Sequence, residues 1–376
     1  MRWVIKRSNR MKKVMLYAYT NLNLGDDLFI KILCNRYPNT KFFLYAPKKY
    51  KKFEKEIKNL KVFSSDSFFS RIINLILRKL KFFYFIRKQI AKRTDISVYI
   101  GGSLYMQHDN WESSYIDKKH MQFNDSPFLV LGANFGPFNQ KQFYERYNKL
   151  FKNYYDICFR DSYSYNLFKH YNHVRFSDDI IFQLGIKKRN IKKKNNIIIS
   201  VIKPSQKCIP CVDDGYYEKI KEISNYFIKN NYTVTLMSFC ESEGDEEAVE
   251  SVIKRIPKIY RYKVERHLYQ ANIEETLNVI ASSSGVVATR FHSMILGWIY
   301  DKPVYPIVYS DKMLNVMEDI AFRGFYGDLR NKIHRIHPNE VFESLNTNSM
   351  DVSKQVHNSS KHFKKLDELL LTKPIN

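Results

Sequence analysis

Glycine and proline are scarce in this chain of 376 residues, at 12 and 11, which excludes collagen-like and low-complexity architecture. Cysteine is scarcer still. Five residues are too few for a disulfide framework, so a reducing cytoplasm is the expected setting. Long apolar runs are missing, since none reaches the roughly 18–20 residues that span a bilayer. Residues 293–309 come nearest, but Asp301, Lys302 and Pro303 interrupt them. The basic beginning lacks a long apolar stretch and a small-residue cleavage site, so no secretory signal is expected. Negative charge is also short: 38 Asp and Glu face 62 Lys and Arg, a formal net charge of +24. No RNP, zinc-finger or helix-turn-helix signature accompanies that charge, and nucleic acid is not an expected partner.

What is present is material for cores. Apolar residues make up 44% and aromatics 15%, which argues against disorder, and the length suggests two domains. The positive charge favours anionic partners such as anionic lipid or phosphorylated substrates. Lys beside abundant Asn, Ile, Phe and Tyr is also what AT-rich coding sequence produces without functional pressure.

Apolar runs at residues 14–19, 41–45, 97–100 and 128–131 read as strands, with a helix over 26–36. Several of these strands run into Gly-containing loops, at Gly25, Gly101-Gly102 and Gly132. Strands alternating with helices describe a parallel α/β sheet, in which ligands sit at the carboxyl ends of strands. The charged stretch 186–196 is the candidate linker. Beyond it the rhythm restarts: strands at 197–202, 232–237, 285–288 and 304–307, helices at 216–228, 246–255 and 293–300. The expected organisation is an N-terminal lobe over 11–190, a C-terminal lobe over 195–345 and a tail with a Leu-rich helix over 346–376. A cleft between two such lobes is a usual place for a small-molecule site.

Residues 71–93 carry eight Lys and Arg among Ile, Leu and Phe, with no acidic residue. Such a segment can lie in a membrane interface with its cations on anionic headgroups; it can equally be an ordinary helix with solvated Lys outside.

Four constellations carry possible chemistry. Around Asn23, Gly25, Asp26 and Asp27, a turn opening a helix offers backbone N–H groups to an anion. The carboxylates there could orient hydroxyls or act as a base, or Asp26 could simply cap the helix. Gly101-Gly102 and Gly132 to Gly136 are strand exits where a ligand can approach the backbone. Arg290-Phe291-His292 is the sharpest: residues i and i+2 on an extended strand end point the same way. Arg offers a planar fork to phosphate or carboxylate, and His exchanges a proton near neutral pH. Arg160-Asp161 resembles it, an Arg where a strand ends, with Asp161 and Ser162 as possible caps. Cys208 and Cys211 form a single CxxC pair without a second to complete a zinc site, and read as incidental.

Taken in order, these motifs resemble the polysaccharide pyruvyl transferase family. The matching residues are Asn23-Leu24-Gly25-Asp26-Asp27, Gly101-Gly102-Ser103-Leu104, Gly136-Pro137-Phe138 and Arg160-Asp161-Ser162-Tyr163-Ser164. Further along come Gly244-Asp245, Arg290-Phe291-His292-Ser293, Pro303-Val304 and Tyr309-Ser310-Asp311-Lys312. Two departures stand out: the family's Asp-Pro appears as Asp179-Ile180, and its Gly-rich run before Gly136 reads Ala133-Asn134-Phe135.

The resemblance implies two Rossmann-like lobes with parallel sheets, GT-B-like, with the active-site cleft between them. It implies phosphoenolpyruvate as donor substrate, a sugar diol as acceptor, a pyruvate ketal as product and no metal or other cofactor. Arg290 and Arg160 are then the cations for the donor, and His292 the acid or a phosphate contact. Asp26 or Asp27, from the opposite lobe, would activate the acceptor. Asn23, Gly25, Gly101, Gly102, Gly136, Ser293 and Lys312 complete the expected substrate contacts. A lipid-linked oligosaccharide acceptor would make docking at the inner face of a membrane useful. Two rivals remain: a GT-B glycosyltransferase using a nucleotide sugar, and a polysaccharide assembly factor that kept the fold without activity.

Overall fold

The computed structural model describes residues 10–68, 70–72, 84–122, 126–185, 193–207, 209, 212–330 and 333–371. It divides into two compact units. One comprises Met1–Thr20, Phe29–Ile180 and Asn358–Asn376; the other comprises Asn21–Leu28 and Ile181–His357.

Among the described residues the first unit holds seven strands: β1 (Lys13–Tyr17), β2 (Lys41–Ala46), β3 (Leu60–Ser64), β4 (Ile96–Ile100), β5 (Phe128–Ala133), β6 (Asp156–Phe159) and β7 (Val174–Phe176). Their order is β3-β2-β1-β4-β5-β6-β7 and every pairing is parallel. β4 and β5 are buried at every position, as strands of a parallel sheet covered on both faces must be. The helix Lys141–Phe151 buries Phe143, Tyr147, Leu150 and Phe151, one face at helical spacing. That face meets a core of rings, with Tyr105 and Phe151 centroids 4.9 Å apart.

The second unit repeats the plan with β8 (Asn196–Ser200), β9 (Thr233–Met237), β10 (Val264–His267), β11 (Gly285–Ala288), β12 (Val304–Val308) and β13 (Gly327–Asp328). The order is β10-β9-β8-β11-β12-β13, again all parallel. In each sheet the winding reverses beside the first strand, between β1 and β4 and between β8 and β11. Ligands of open α/β sheets bind outside the carboxyl ends of the strands at that reversal.

The division departs from the sequence reading at two places. Residues 21–28 group with the second unit, although their neighbours in the chain belong to the first. The helix Lys364–Leu370 of the expected tail is tied into the first unit: its Asp367 accepts bonds from Arg36 at 3.1 and 2.7 Å and from the Tyr37 hydroxyl at 2.7 Å. Most of the candidate linker, residues 186–192, lies outside the described residues, as do Cys208, Cys211 and residues 73–83 of the basic segment. No helix among the described residues is long and apolar enough to cross a membrane.

Candidate active site

In the second unit the strands flanking the reversal converge on one serine. Ser200, the last residue of β8, accepts the backbone N–H of Thr289 at 3.0 Å and of Arg290 at 3.1 Å, just beyond β11. Ser293 donates to the Arg290 carbonyl at 2.7 Å, so the 2.6 Å contact between Ser200 and Ser293 takes its proton from Ser200. Both serines are wholly buried. Ser293 therefore shapes the turn that presents Arg290, a role different from the substrate contact expected of it.

Arg290 is the residue before the helix Phe291–Ile299. The expected extended pair of Arg290 and His292 does not exist, because β11 ends at Ala288 and helical geometry has begun by Phe291. The Arg290 guanidinium is buried and gives Nη1 to Glu243 and Nη2 to Asp245. Burial works against its charge, but the two carboxylates outweigh burial and push its pKa above the ordinary arginine value. Its Nε, also buried, has no partner among the described residues.

The two acids respond differently. Asp245, wholly enclosed, has its pKa raised by burial despite Arg290; its Oδ2 accepts backbone N–H groups of Phe239 and Cys240 at 2.9 and 3.0 Å. Glu243 also pays for burial, yet Arg290 and Lys207 carry its pKa down to about 2.

His292 packs against the segment 21–28. A Cβ placed on Gly25 would overlap the imidazole, so a glycine here lets the ring lie directly on the backbone. Three further ties hold that segment to the second unit. Leu24 N–H donates to the Phe239 carbonyl at 3.0 Å, Asn23 forms an antiparallel bridge with Cys240, and the Tyr269 hydroxyl donates to Asp27 at 2.7 Å. Asp26 and Asp27 thus share a unit with Arg290 and His292, and the expectation that they come from the opposite lobe is corrected. Helix Leu24–Arg36 is preceded by Asn23, whose side chain accepts the Gly25 N–H at 3.1 Å. Asn23 therefore does the capping that had been offered to Asp26. Lys312 lies in the helix Asp311–Asp319 with its Nζ 5.5 Å from the centre of the Tyr309 ring.

The first unit holds the other arginine. Arg160, immediately after β6, gives Nη1 to Asp179 at 3.0 Å and Nη2 to Asn134 at 2.7 Å. Gly102 makes room for it, since a Cβ there would sit 2.3 Å from Nη1. Asp161 caps the helix Ser162–Phe168 through the Ser164 N–H at 2.7 Å, as the sequence suggested. Gly101 continues the β4 ladder, its N–H donating to the Leu131 carbonyl at 3.2 Å. The Gly136 carbonyl accepts from Asn134 at 3.3 Å, and Gly136 precedes a cis Pro137. Both arginines are thus already paired with buried carboxylates, each inside its own unit. Lys207, Glu243, Tyr269 and Ser200 escaped the sequence reading, because nothing in their local spacing marks them. No group of three or more His, Cys, Asp or Glu among the described residues is arranged to hold a metal.

The order of these motifs has a counterpart among known families: the polysaccharide pyruvyl transferase family matches residues 23–311. The chain belongs to that family. The match opens at Asn23, ahead of Gly25, and closes at Asp311, so it embraces every expected site residue except Lys312.

Solved structures show the fold. Anabaena HepE in complex with UDP and glucose superposes with a TM-score of 0.59 at 12% identity, covering 96% of this chain and 100% of that one. UDP-N-acetylglucosamine 2-epimerase from Rickettsia bellii gives 0.56 at 10% identity, covering 96% of each chain. The fold is GT-B-like: two Rossmann-like parallel α/β units, in a transferase family of polysaccharide biosynthesis.

Proposed function

We infer that this family member moves the pyruvate unit of phosphoenolpyruvate onto a sugar diol, forming a pyruvate ketal and releasing phosphate. The observation that carries the reading is the family match together with a histidine seated on the Gly25 backbone, in the same unit as Asp26 and Arg290. The balance is simple. The donor methylene gains one proton, two sugar hydroxyls lose one each, and the departing phosphate takes the other. His292 supplies the first proton, making C2 electrophilic, or contacts the phosphate as it leaves. Asp27 is wholly buried and held by Tyr269, so it positions the turn; Asp26, 9% exposed, is assigned the acceptor hydroxyl. Arg290 supplies positive charge for the donor's carboxylate and phosphate.

The acceptor is a surface-polysaccharide sugar or its lipid-linked precursor, and the basic segment 71–93 serves a membrane surface in the second case. Among its described neighbours and members, Phe68, Ile72 and Phe85 are exposed, which supports an apolar contact there. Sedimentation with anionic vesicles tests it: binding lost at high salt is expected, and no binding at low salt contradicts it.

The fold likeness to HepE, solved with UDP-glucose, keeps a nucleotide-sugar glycosyltransferase as the second reading. Phosphate release from phosphoenolpyruvate with a galactoside acceptor separates the two. Turnover of a nucleotide sugar without phosphate release would favour the rival.

A further inference from the structure

Two cations in the second unit meet on a single oxygen. Lys207 Nζ and Arg290 Nη1 both donate to Oε2 of Glu243, whose other oxygen takes no bond among the described residues. The four charges at this spot, Lys207 and Arg290 against Glu243 and Asp245, sum to zero. The two acids are not equivalent. Asp245 is fixed by two backbone N–H groups as well as by Arg290, whereas no backbone N–H among the described residues bonds the Glu243 side chain, which retains 22% exposure. Glu243 closes the short turn Glu241–Glu243, and Gly244 follows it in the left-handed region at φ 79°, a backbone setting that few other residues adopt without strain.

One polar group points to a further acceptor. The Arg290 Nε–H is buried and has no partner among the described residues, and leaving a buried donor unmade is costly. A carboxylate can satisfy one edge of the guanidinium; a phosphate, with three terminal oxygens, can take the Nη1 donor that Glu243 now holds and the lysine at once.

We propose that the meeting point of Lys207 and Arg290 is the phosphate subsite of the donor, and that Glu243 is a built-in competitor occupying it until the donor displaces it. The proposal rests on the phosphoenolpyruvate reading for the donor's identity, but not for the subsite itself. A phosphate dianion beside an ionised Glu243 would be repelled, so binding and displacement are one event. With Glu243 held ionised far below neutral pH, its removal is by exchange of anions and not by protonation. Lys207 then touches substrate, which makes it a binding residue that the motifs do not contain.

The test uses the full chain and inorganic phosphate as probe, followed by titration calorimetry, with thermal melts to confirm that each variant is folded. Glu243→Gln keeps the shape and removes the competing charge; it should tighten phosphate about tenfold, equivalent to about 1.4 kcal/mol. Lys207→Ala should weaken phosphate by a similar factor, and Lys207→Arg should restore it. In the enzyme assay the same variants should move KM for phosphoenolpyruvate and leave kcat within a few-fold. Equal phosphate affinity in wild type and a folded Glu243→Gln protein overturns the proposal, as does a Lys207→Ala protein with unchanged affinity. If the variants shift phosphate binding but phosphoenolpyruvate is never turned over, the subsite stands and the donor reading fails. If phosphoenolpyruvate is turned over and neither variant shifts KM or phosphate binding, the donor reading stands and the competitor is rejected.

Discussion

The imidazole of His292 occupies the space a side chain at position 25 would need: a Cβ on Gly25 would fall 1.7 Å from Nδ1 and 2.2 Å from Cε1. Two residues 267 positions apart in sequence thereby fix each other, the glycine by what it lacks. Gly25 lies in the first turn of the helix Leu24–Arg36, where Ala would itself be favourable by up to about 1 kcal/mol. Gly25→Ala should therefore leave the backbone folded and push the ring aside. Misplacing a reacting group by about 1 Å costs on the order of a hundredfold in rate. The expected result is a kcat loss of that order with a melting temperature within a few degrees of wild type. Full activity would show that the ring's seat does not matter.

Tyr269 donates to Asp27 at 2.7 Å in a wholly buried contact. Tyr269→Phe deletes the donor and keeps the ring, so the penalty is that of a weakened buried carboxylate, about 1–3 kcal/mol. Urea unfolding reads it directly, and an unchanged midpoint would count against a supporting role.

In the first unit, Arg160 and Asp179 form an ion pair in which the side chains are 2% and 0% exposed. Asp179→Ala leaves a guanidinium buried without its counter-charge. Removing one partner of such a pair costs about 3–5 kcal/mol, and the melting temperature should fall accordingly. A shift of a degree or less would mean that the arginine finds another anion.

His362 supplies a pH dependence. It is fully buried, its Nε2 donates to the Asp178 carbonyl at 2.7 Å, and burial, aided by Arg175 and Arg160, brings its pKa down to about 3. The unfolded chain takes up a proton near pH 6.5 and the folded chain does not. Stability is thus complete above that value and lost progressively as pH falls toward 3, by about 1.4 kcal/mol per pH unit. Other carboxylates add to acid unfolding, so the measurement is the difference from His362→Gln, which should show a shallower slope between pH 6 and 4. Parallel slopes would contradict the assignment.

The strands that were legible are those whose apolar residues run without interruption, such as β5 and β8, because a sheet covered on both faces selects such runs. β3, β7, β10 and β13 were not expected. Val264–His267 reads Val-Glu-Arg-His and β13 is two residues long, so neither carries a periodic apolar signal. Among the candidate residues, Arg160 and Arg290 lie just beyond β6 and β11, as the apolar runs before them imply, because strand ends are where a parallel sheet offers side chains to ligands; His292 lies in the helix that follows. Their partners could not be read from the sequence. Arg290 reaches acids 45 and 47 residues away and Arg160 one 19 residues away, distances set by topology and not by local pattern. The placement of residues 21–28 was equally hidden, since it depends on Phe239, Cys240, Tyr269 and His292 gathering around them.

In the proposed reaction His292 takes part in releasing phosphate from phosphoenolpyruvate. The direct measurement is continuous phosphate release with phosphoenolpyruvate and a pyruvylatable galactoside, comparing wild type with His292→Ala at matched thermal stability. The expected result is acceptor-dependent release by wild type, reduced by orders of magnitude in the variant. No acceptor-dependent phosphate from wild type, or an undiminished rate in the variant, would contradict it.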